Sequence, residues 1–490
     1  MLKTVPRVLV AGTHSGCGKT TVTCALLAAL KARQLGVGAF KCGPDYIDPM
    51  FHREAIGITS HNLDPFFCEE NLLRQLLTAG AGGDISVIEG VMGYYDGIGL
   101  THRASTFEVA SITETPVILV VNAKGMGNSV CALLKGFTEY FANSRIKGVI
   151  FNGISGPMYK ALSESIASFD LIPLGYLPHR PELAIESRHL GLITAAEIPD
   201  IRAKLDKLAA LAAETLDIDG ILRLAAAAPD VRSSEELAGF GSQSSLISSS
   251  SPSSQDNLSG QSSPSSLSSP GSPGKSVTQG TRNSRRPRIA VARDEAFCFI
   301  YTENIELLQT MGCDIAYFSP LRDKALPAGS TGLYLCGGYP ELHSQALSAN
   351  IELLADLRRQ IQSGLPTIAE CGGFMYLHEQ LDGNPMAAVI AGNAFKTGSL
   401  QRFGYITLTA GADNLLLAAG ESVRAHEFHY WDSGNPGAGF QAAKAGSAKA
   451  WPCVHATETL YAGFPHLYFY ANPAMAERFV EAAGHYAAGR

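Results

Sequence analysis

Val8-Leu9-Val10-Ala11-Gly12-Thr13-His14-Ser15-Gly16-Cys17-Gly18-Lys19-Thr20-Thr21 fixes the architecture of the first half of the chain. A short apolar run, a glycine-rich loop, Gly-Lys-Thr and an amphipathic stretch are the order of events in a phosphate-binding loop. Backbone N–H groups and the positive end of the following helix hold phosphates there; Lys19 reaches the terminal ones and Thr20 meets Mg²⁺. The loop is a variant of G-x4-G-K-[ST], with Thr13 in the first position and Gly12 one residue earlier. Gly12, Thr13, Gly16, Gly18, Lys19, Thr20 and Thr21 are the expected nucleotide contacts.

Working outward, Val37–Phe40, Ile85–Ile88, Val117–Val121 and Gly148–Phe151 repeat the buried-strand pattern, with helical stretches such as Thr21–Arg33 and Asn128–Phe141 between them. This alternation predicts an α/β domain, a parallel sheet with helices on both faces, closed by a helix over Ile201–Leu224. Ligands of such sheets bind beyond the carboxyl ends of the strands. Two acidic clusters fall there: Lys41-Cys42-Gly43-Pro44-Asp45-Tyr46-Ile47-Asp48 after the second strand, and Glu89-Gly90-Val91-Met92-Gly93-Tyr94-Tyr95-Asp96 after the third. Lys41, Asp45, Tyr46, Asp48 and Asp96 are expected to bind substrate. Thr20, Asp48 and Glu89 are the expected Mg²⁺ ligands, since Mg²⁺ with ATP needs only one or two carboxylates. Asn152, ending the fifth strand, is a candidate for the base, and a turn role competes with that reading.

Between Ser242 and Ser276 serine fills about half the positions, too little apolar surface to offset ordering, so a flexible linker is expected. Arg282 to Arg288 border it as a solvated basic patch. The expected division is 1–235, linker 236–286 and 287–490. Beyond the linker a second α/β series begins with Arg288–Ala292, a helix over Thr302–Thr310, Ile315–Phe318 and Leu333–Cys336; from Phe395 the pattern is strand-like.

In this second series Thr367-Ile368-Ala369-Glu370-Cys371-Gly372-Gly373 ends an apolar run on a cysteine followed by two glycines. A thiol presented at such a turn is a candidate nucleophile, expected to have a lowered pKa. Gly338 and Gly372 are candidate oxyanion donors. His426, His429 and His466 are candidate bases, and spacing does not choose among them. A nucleotide site and a nucleophilic cysteine in one polypeptide imply two joined half-reactions.

The bulk properties narrow the class. The chain has 490 residues, 46% hydrophobic and 17% charged, with a formal charge of −7, which gives no support for nucleic-acid binding. No stretch reaches the ~18 uninterrupted apolar residues of a membrane span, and no secretory signal is read at the N-terminus. Ten cysteines without C-x-x-C spacing indicate neither a disulfide framework nor a zinc site. The cytoplasm is the expected compartment.

Gly12–Thr21, Lys41–Pro49, Glu89–Gly97, Arg188–Leu192, Gly337–Leu342, Glu370–Gly373 and His426–Tyr430 together resemble the cobyrinic acid a,c-diamide synthases, glutamine-dependent amidotransferases of corrinoid biosynthesis. The resemblance covers nearly all of the chain outside the serine-rich segment. It implies an N-terminal P-loop NTPase domain on a dethiobiotin synthetase-like parallel sheet and a C-terminal class I glutamine amidotransferase-like α/β domain. It implies Cys371 as nucleophile and His466 as its base. Class I glutaminase domains usually carry His-x-Glu, whereas Tyr468 stands at that Glu position here. Also implied are the substrates ATP, L-glutamine and a corrinoid acid, an acyl-phosphate intermediate and Mg²⁺; a homo-oligomer is left open. Ni-sirohydrochlorin a,c-diamide synthase and cobyric acid synthase share this chemistry. A partitioning-type dimeric switch ATPase is the alternative from another class. It is disfavoured because His14 stands where that group has a second lysine, and because it leaves the Cys371 half unexplained.

Overall fold

A computed structural model describes residues 2–183, 187–188, 191–192, 201–233 and 286–489. The serine-rich segment expected as a linker lies outside these residues, as does part of the Arg188–Leu192 motif.

The first half is built on seven parallel strands: β1 (Arg7–Gly12), β2 (Val37–Cys42), β3 (Ser60–Leu63), β4 (Ile85–Glu89), β5 (Val117–Asn122), β6 (Ile146–Asn152) and β7 (Ile172–Leu177), in the order β3-β2-β4-β1-β5-β6-β7. Strand alternation divides the core. Val8 and Val10 pack with Val22 and Leu26 of helix α1 (Lys19–Ala32), while Leu9 and Ala11 join the cluster on the opposite face. A strand apolar on both faces has to lie inside the sheet.

The expected strands all form, and two edge strands were not legible. In β3, Ser60-His61-Asn62-Leu63 is polar yet fully buried; in β7, Pro173 and Gly175 mask the pattern. The single helix expected over Ile201–Leu224 is two, Ile201–Thr215 and Ile218–Ala226. Asp217 breaks it by capping the second, its Oδ1 accepting the Gly220 N–H at 2.8 Å, an ordinary N-cap role.

The second half is built on two larger sheets, beside a four-stranded one around Ile390–Lys396 and the two-stranded pairing of Phe297–Phe299 with Gly337–Gly338. One comprises β8 (Arg288–Ala292), β9 (Asp314–Phe318), β10 (Gly332–Leu335), β11 (Thr367–Glu370), β16 (His455–Ala456) and β17 (Leu460–Gly463), ordered β9-β8-β10-β11-β17-β16 and parallel except at β16. The other is antiparallel, ordered β15-β14-β12-β13-β18, from β12 (Arg402–Ala410), β13 (Ser422–His429), β14 (Phe440–Lys444), β15 (Ala450–Cys453) and β18 (His466–Leu467). Helix α2 (Thr302–Thr310) leans on the first half. Glu303 Oε1 accepts the Asn62 N–H, and His61 Nε2 lies 3.4 Å from Glu306 Oε1. Tyr405 Oη donates to Asp64 Oδ2 at 2.9 Å, and Arg424 donates to the Phe66 carbonyl at 2.8 Å. The polar groups of β3 are met from both halves: Glu303 and Glu306 take the Asn62 N–H and His61, while Ser60 Oγ pairs with His52 and the Asn62 amide donates to the Gly43 and Asp45 carbonyls.

Candidate active site

At the carboxyl ends of β1, β2 and β4 the loop residues close on an ion cluster. Gly18 caps α1 with φ 100°, a left-handed conformation that glycine adopts without strain. Lys19 is buried, its ammonium donating to the carbonyls of His14 at 3.2 Å and Met92 at 2.5 Å. With only carbonyl partners among the described residues and burial lowering its pKa, it is poised to gain from an anion. Thr20 Oγ1 donates to Glu89 Oε1 at 2.7 Å. Lys41 Nζ contacts Asp48, reaches Glu89 Oε1 at 3.1 Å and lies 3.9 Å from Asp45 Oδ2. Burial alone would lower the Lys41 pKa, but Asp48, Glu89 and Asp45 reverse this and hold it well above its usual value. Burial likewise works to raise the Glu89 carboxyl, and Lys41 and His52 outweigh it, leaving Glu89 far below the ordinary range. Lys41 and Glu89 are thus held ionised although buried, whereas burial, and then Asp45 and Glu89, push the Asp48 carboxyl well above its usual value in spite of Lys41.

The expected site residues do not all gather at one point. Asp45, Tyr46 and Asp48 line a cavity described below, whereas Asp96 is exposed and its Oδ2 accepts the Gly93 N–H at 2.9 Å. Asn152 Nδ2 donates to the Cys17 carbonyl at 3.0 Å, so its amide braces the phosphate loop. His52, which sequence reasoning missed, places Nε2 3.2 Å from Glu89 Oε2; nothing in its local sequence sets it apart. Among the described residues no set of three His, Cys, Asp or Glu side chains is arranged to hold a metal by itself. Thr20, Asp48 and Glu89 nevertheless offer the hard oxygen donors that Mg²⁺ takes alongside phosphate oxygens.

In the second half Cys371 caps the short helix Gly372–Tyr376 with φ 46° and ψ −100°. This is a strained conformation for a non-glycine residue, of the kind that presents a nucleophile at a sharp strand-to-helix turn. The Cys371 N–H donates to the Gly463 carbonyl at 2.8 Å, tying the turn to the neighbouring strand. The expected lowering of the thiol pKa is not found. Burial, and then Glu341, push it up, so the thiol rests protonated and needs a base. A side chain on Gly372 would sit 3.0 Å from the Gly338 nitrogen, which places the two candidate oxyanion amides close together; one on Gly337 would run 2.5 Å from His466 Cε1. The glycine pair therefore lets β18 approach.

The three histidines separate. His466 and His426 pair across β18 and β13, their rings stacked at 4.9 Å. Burial, and then His466, hold the His426 pKa well below normal. His429 lies flat against Phe464 at 3.9 Å, with Nδ1 donating to the Trp431 carbonyl. The Tyr468 ring leaves this site and stacks on Phe67 of the first half at 5.4 Å.

One cavity of about 540 Å³ joins the two halves, lined by Asp45, Tyr46 and Asp48 on one side and Cys371, His426 and His466 on the other. Tyr46 stands between them, its ring 5.2 Å from that of His466 and 4.3 Å from that of Tyr301. Glu341 and Glu427 also line it, each with a buried carboxylate oxygen lacking a hydrogen-bond partner among the described residues.

A phosphate-binding α/β half and a half with a cysteine on a strained strand-to-helix turn define the class: a two-part, glutamine-dependent ligase. Residues 8–192 match the CobQ/CobB/MinD/ParA nucleotide binding domain and residues 288–473 the CobB/CobQ-like glutamine amidotransferase domain. The chain is similar to the hydrogenobyrinate a,c-diamide synthase of Streptomyces coelicolor, 38% identical over 97% of each chain. It is also similar to the cobyrinate a,c-diamide synthases of Salmonella typhimurium, 36% identical over 97% of each chain, and Caldanaerobacter subterraneus, 34% identical over 96% of this chain and 97% of that one. The chain belongs to the cobyrinate a,c-diamide synthase family. Among the described residues no helix is long and apolar enough to cross a membrane.

Proposed function

We propose that this chain uses ATP and L-glutamine to convert the a and c acetate carboxylates of cobyrinic or hydrogenobyrinic acid into primary amides. The observation that carries this reading is the shared cavity, which sets Asp45, Tyr46 and Asp48 opposite Cys371 and His466. Residues 1–235 form the synthase part and 287–490 the glutaminase part, joined by 236–286.

In the synthase part a substrate carboxylate oxygen attacks the γ-phosphorus of ATP and ADP leaves, giving an acyl phosphate. Lys19 and the N–H groups of Gly12 to Thr21 neutralise the transferring phosphoryl group, and Asn152 keeps the loop in shape. Lys41 holds the carboxylates of Asp48 and Glu89 in position, and Asp45 and Tyr46, on the cavity wall, contact the corrinoid, while Asp96 shapes the turn at Gly93. Mg²⁺, held by Thr20, Asp48 and Glu89, would supply charge neutralisation on the phosphates.

In the glutaminase part His466 takes the Cys371 proton as the sulfur attacks the glutamine side-chain carbonyl, whose oxygen is received by the amides of Gly338 and Gly372. The proton passes to the departing nitrogen, ammonia leaves, and water hydrolyses the thioester to glutamate. Glu341 and Glu427 face the glutamine α-ammonium, which supplies the partner their buried oxygens lack. Ammonia then attacks the acyl phosphate and expels phosphate within the shared cavity.

Corrinoid labelled with ¹⁸O in its carboxylates tests this directly. One labelled phosphate should appear per amide formed, with ATP and glutamine consumed in step. Unlabelled phosphate, or turnover of other tetrapyrrole acids with none of these two, contradicts the assignment.

A further inference from the structure

We propose that Glu370, the residue immediately before Cys371, is the positioning carboxylate of His466 and takes over the work of the glutamate that Tyr468 replaces. The proposal rests on the Cys371–His466 reading above and adds a third member to it.

The displacement of that role follows from where the side chains go. Tyr468 has moved to the junction between the halves, stacked on Phe67 and edge-on to Tyr301 at 5.0 Å. His466 Nδ1 is buried with no hydrogen-bond partner among the described residues, yet Glu370 Oε2 lies only 3.8 Å from it. An unmet buried imidazole nitrogen is costly, and hydrogen bonds among catalytic groups are often long before substrate binds.

The carboxylate is held for this purpose. Glu370 is wholly buried at the end of β11; its Oε1 accepts the Leu467 N–H and its Oε2 accepts the Tyr334 hydroxyl, both at 3.2 Å. Asn304 completes the clamp. Its amide donates to the Leu467 carbonyl at 2.9 Å and to Tyr334 at 3.4 Å, and its oxygen accepts the Phe469 N–H at 2.8 Å. The residue after His466 and the carboxylate beside it are thus fixed by one network. Burial raises the Glu370 pKa while His466, Leu467 and Tyr334 oppose it. When His466 takes the Cys371 proton, the imidazolium gains a counter-charge in a place water does not reach. The other titratable groups facing His466 are Tyr46 and His426, whose rings lie 5.2 and 4.9 Å from its own, with Cys371, Glu341 and Glu427 on the same cavity wall, Tyr301 behind Tyr46 and Tyr334 behind Glu370. None of them is a carboxylate within 4.0 Å of His466, whereas Glu370 is.

The test is glutamate release and ammonium-dependent synthesis by the full-length Glu370→Gln variant across pH 6 to 10. Loss of an orienting carboxylate in a related arrangement lowers kcat by about 10⁴-fold. The expected result is a fall of at least about a hundred-fold in glutaminase kcat, with KM for glutamine little changed and ammonium-dependent synthesis within about two-fold. The acidic limb of the glutaminase profile should move to lower pH, because the imidazolium has lost its counter-charge. An unchanged kcat with an unmoved limb overturns the proposal, as does equal loss with both nitrogen donors. If Glu370→Gln does not accumulate folded, Glu370→Asp decides: a fall of about ten-fold confined to glutamine supports it, an unaltered kcat overturns it. His466→Ala separates the two levels. Full glutaminase activity in His466→Ala refutes the dyad itself, whereas its loss alongside an active Glu370→Gln refutes only the role of Glu370.

Discussion

At one end of the shared cavity Lys41 and Glu89 are held in their charged forms within a buried cluster that also contains Asp48 and Thr20; at the other, Cys371, His426 and Tyr46 sit among aromatic rings with their pKa values moved toward the neutral form. The difference matches the two chemistries. Phosphoryl transfer needs fixed charge ready before the reaction, because the group in flight carries charge throughout. A glutaminase thiol held neutral until a base removes its proton is protected from idle reactivity. Burial is common to both ends, and the presence or absence of a compensating partner decides its effect on each group.

The largest break in this comparison should come from Lys19→Ala. Synthesis should fall by about 10³-fold or more with either glutamine or ammonium, since the loss lies in the step both donors share; retained ammonium-dependent synthesis would contradict the placement of ATP. A smaller effect, confined to the other end, is expected of Glu427→Gln. KM for glutamine should rise about ten-fold or more, as for removal of a charged hydrogen-bond partner, with ammonium-dependent rates unchanged.

The seam between the halves offers a third test. Burial pushes the carboxyls of Asp64 and Glu303 up to about 7, above the ~3.9 and ~4.3 of unfolded chains. The folded state therefore binds these protons more tightly. Their stabilising contribution is full below about pH 4 and is lost as pH rises through 7. Denaturant unfolding should show stability falling between pH 5 and 8 by on the order of 1 kcal/mol or more. The Asp64→Asn, Glu303→Gln pair should flatten that slope, and an unchanged slope would remove these groups from the seam's energetics.

Much of this was legible in the chain itself where local physics dominates. The Val8–Thr21 stretch specified strand, loop and helix because each level of its sequence agrees, and Cys371 declared its turn through Gly372 and Gly373. What stayed hidden depends on long-range contacts. Strand β3 can be polar and buried because tertiary partners meet it: Glu303 and Glu306, some 240 positions away in the chain, take the Asn62 N–H and His61, and His52, Gly43 and Asp45 take the Ser60 and Asn62 side chains. The thiol's raised pKa comes from burial and from Glu341, neither visible in the Cys371 neighbourhood. Glu370 sat beside the nucleophile all along, but only the approach of β18 to β11 gives it a histidine. His52 reached Glu89 in the same way, through packing and not through a motif.

The most direct measurement is made on purified Cys371→Ala, supplied with ATP, corrinoid acid and either ¹⁵N-amide glutamine or ¹⁵N-ammonium. Two cooperating sites predict amide containing ¹⁵N from ammonium at near the unmodified rate, and none above background from glutamine. Loss with both donors, or label arriving from glutamine, would contradict that division.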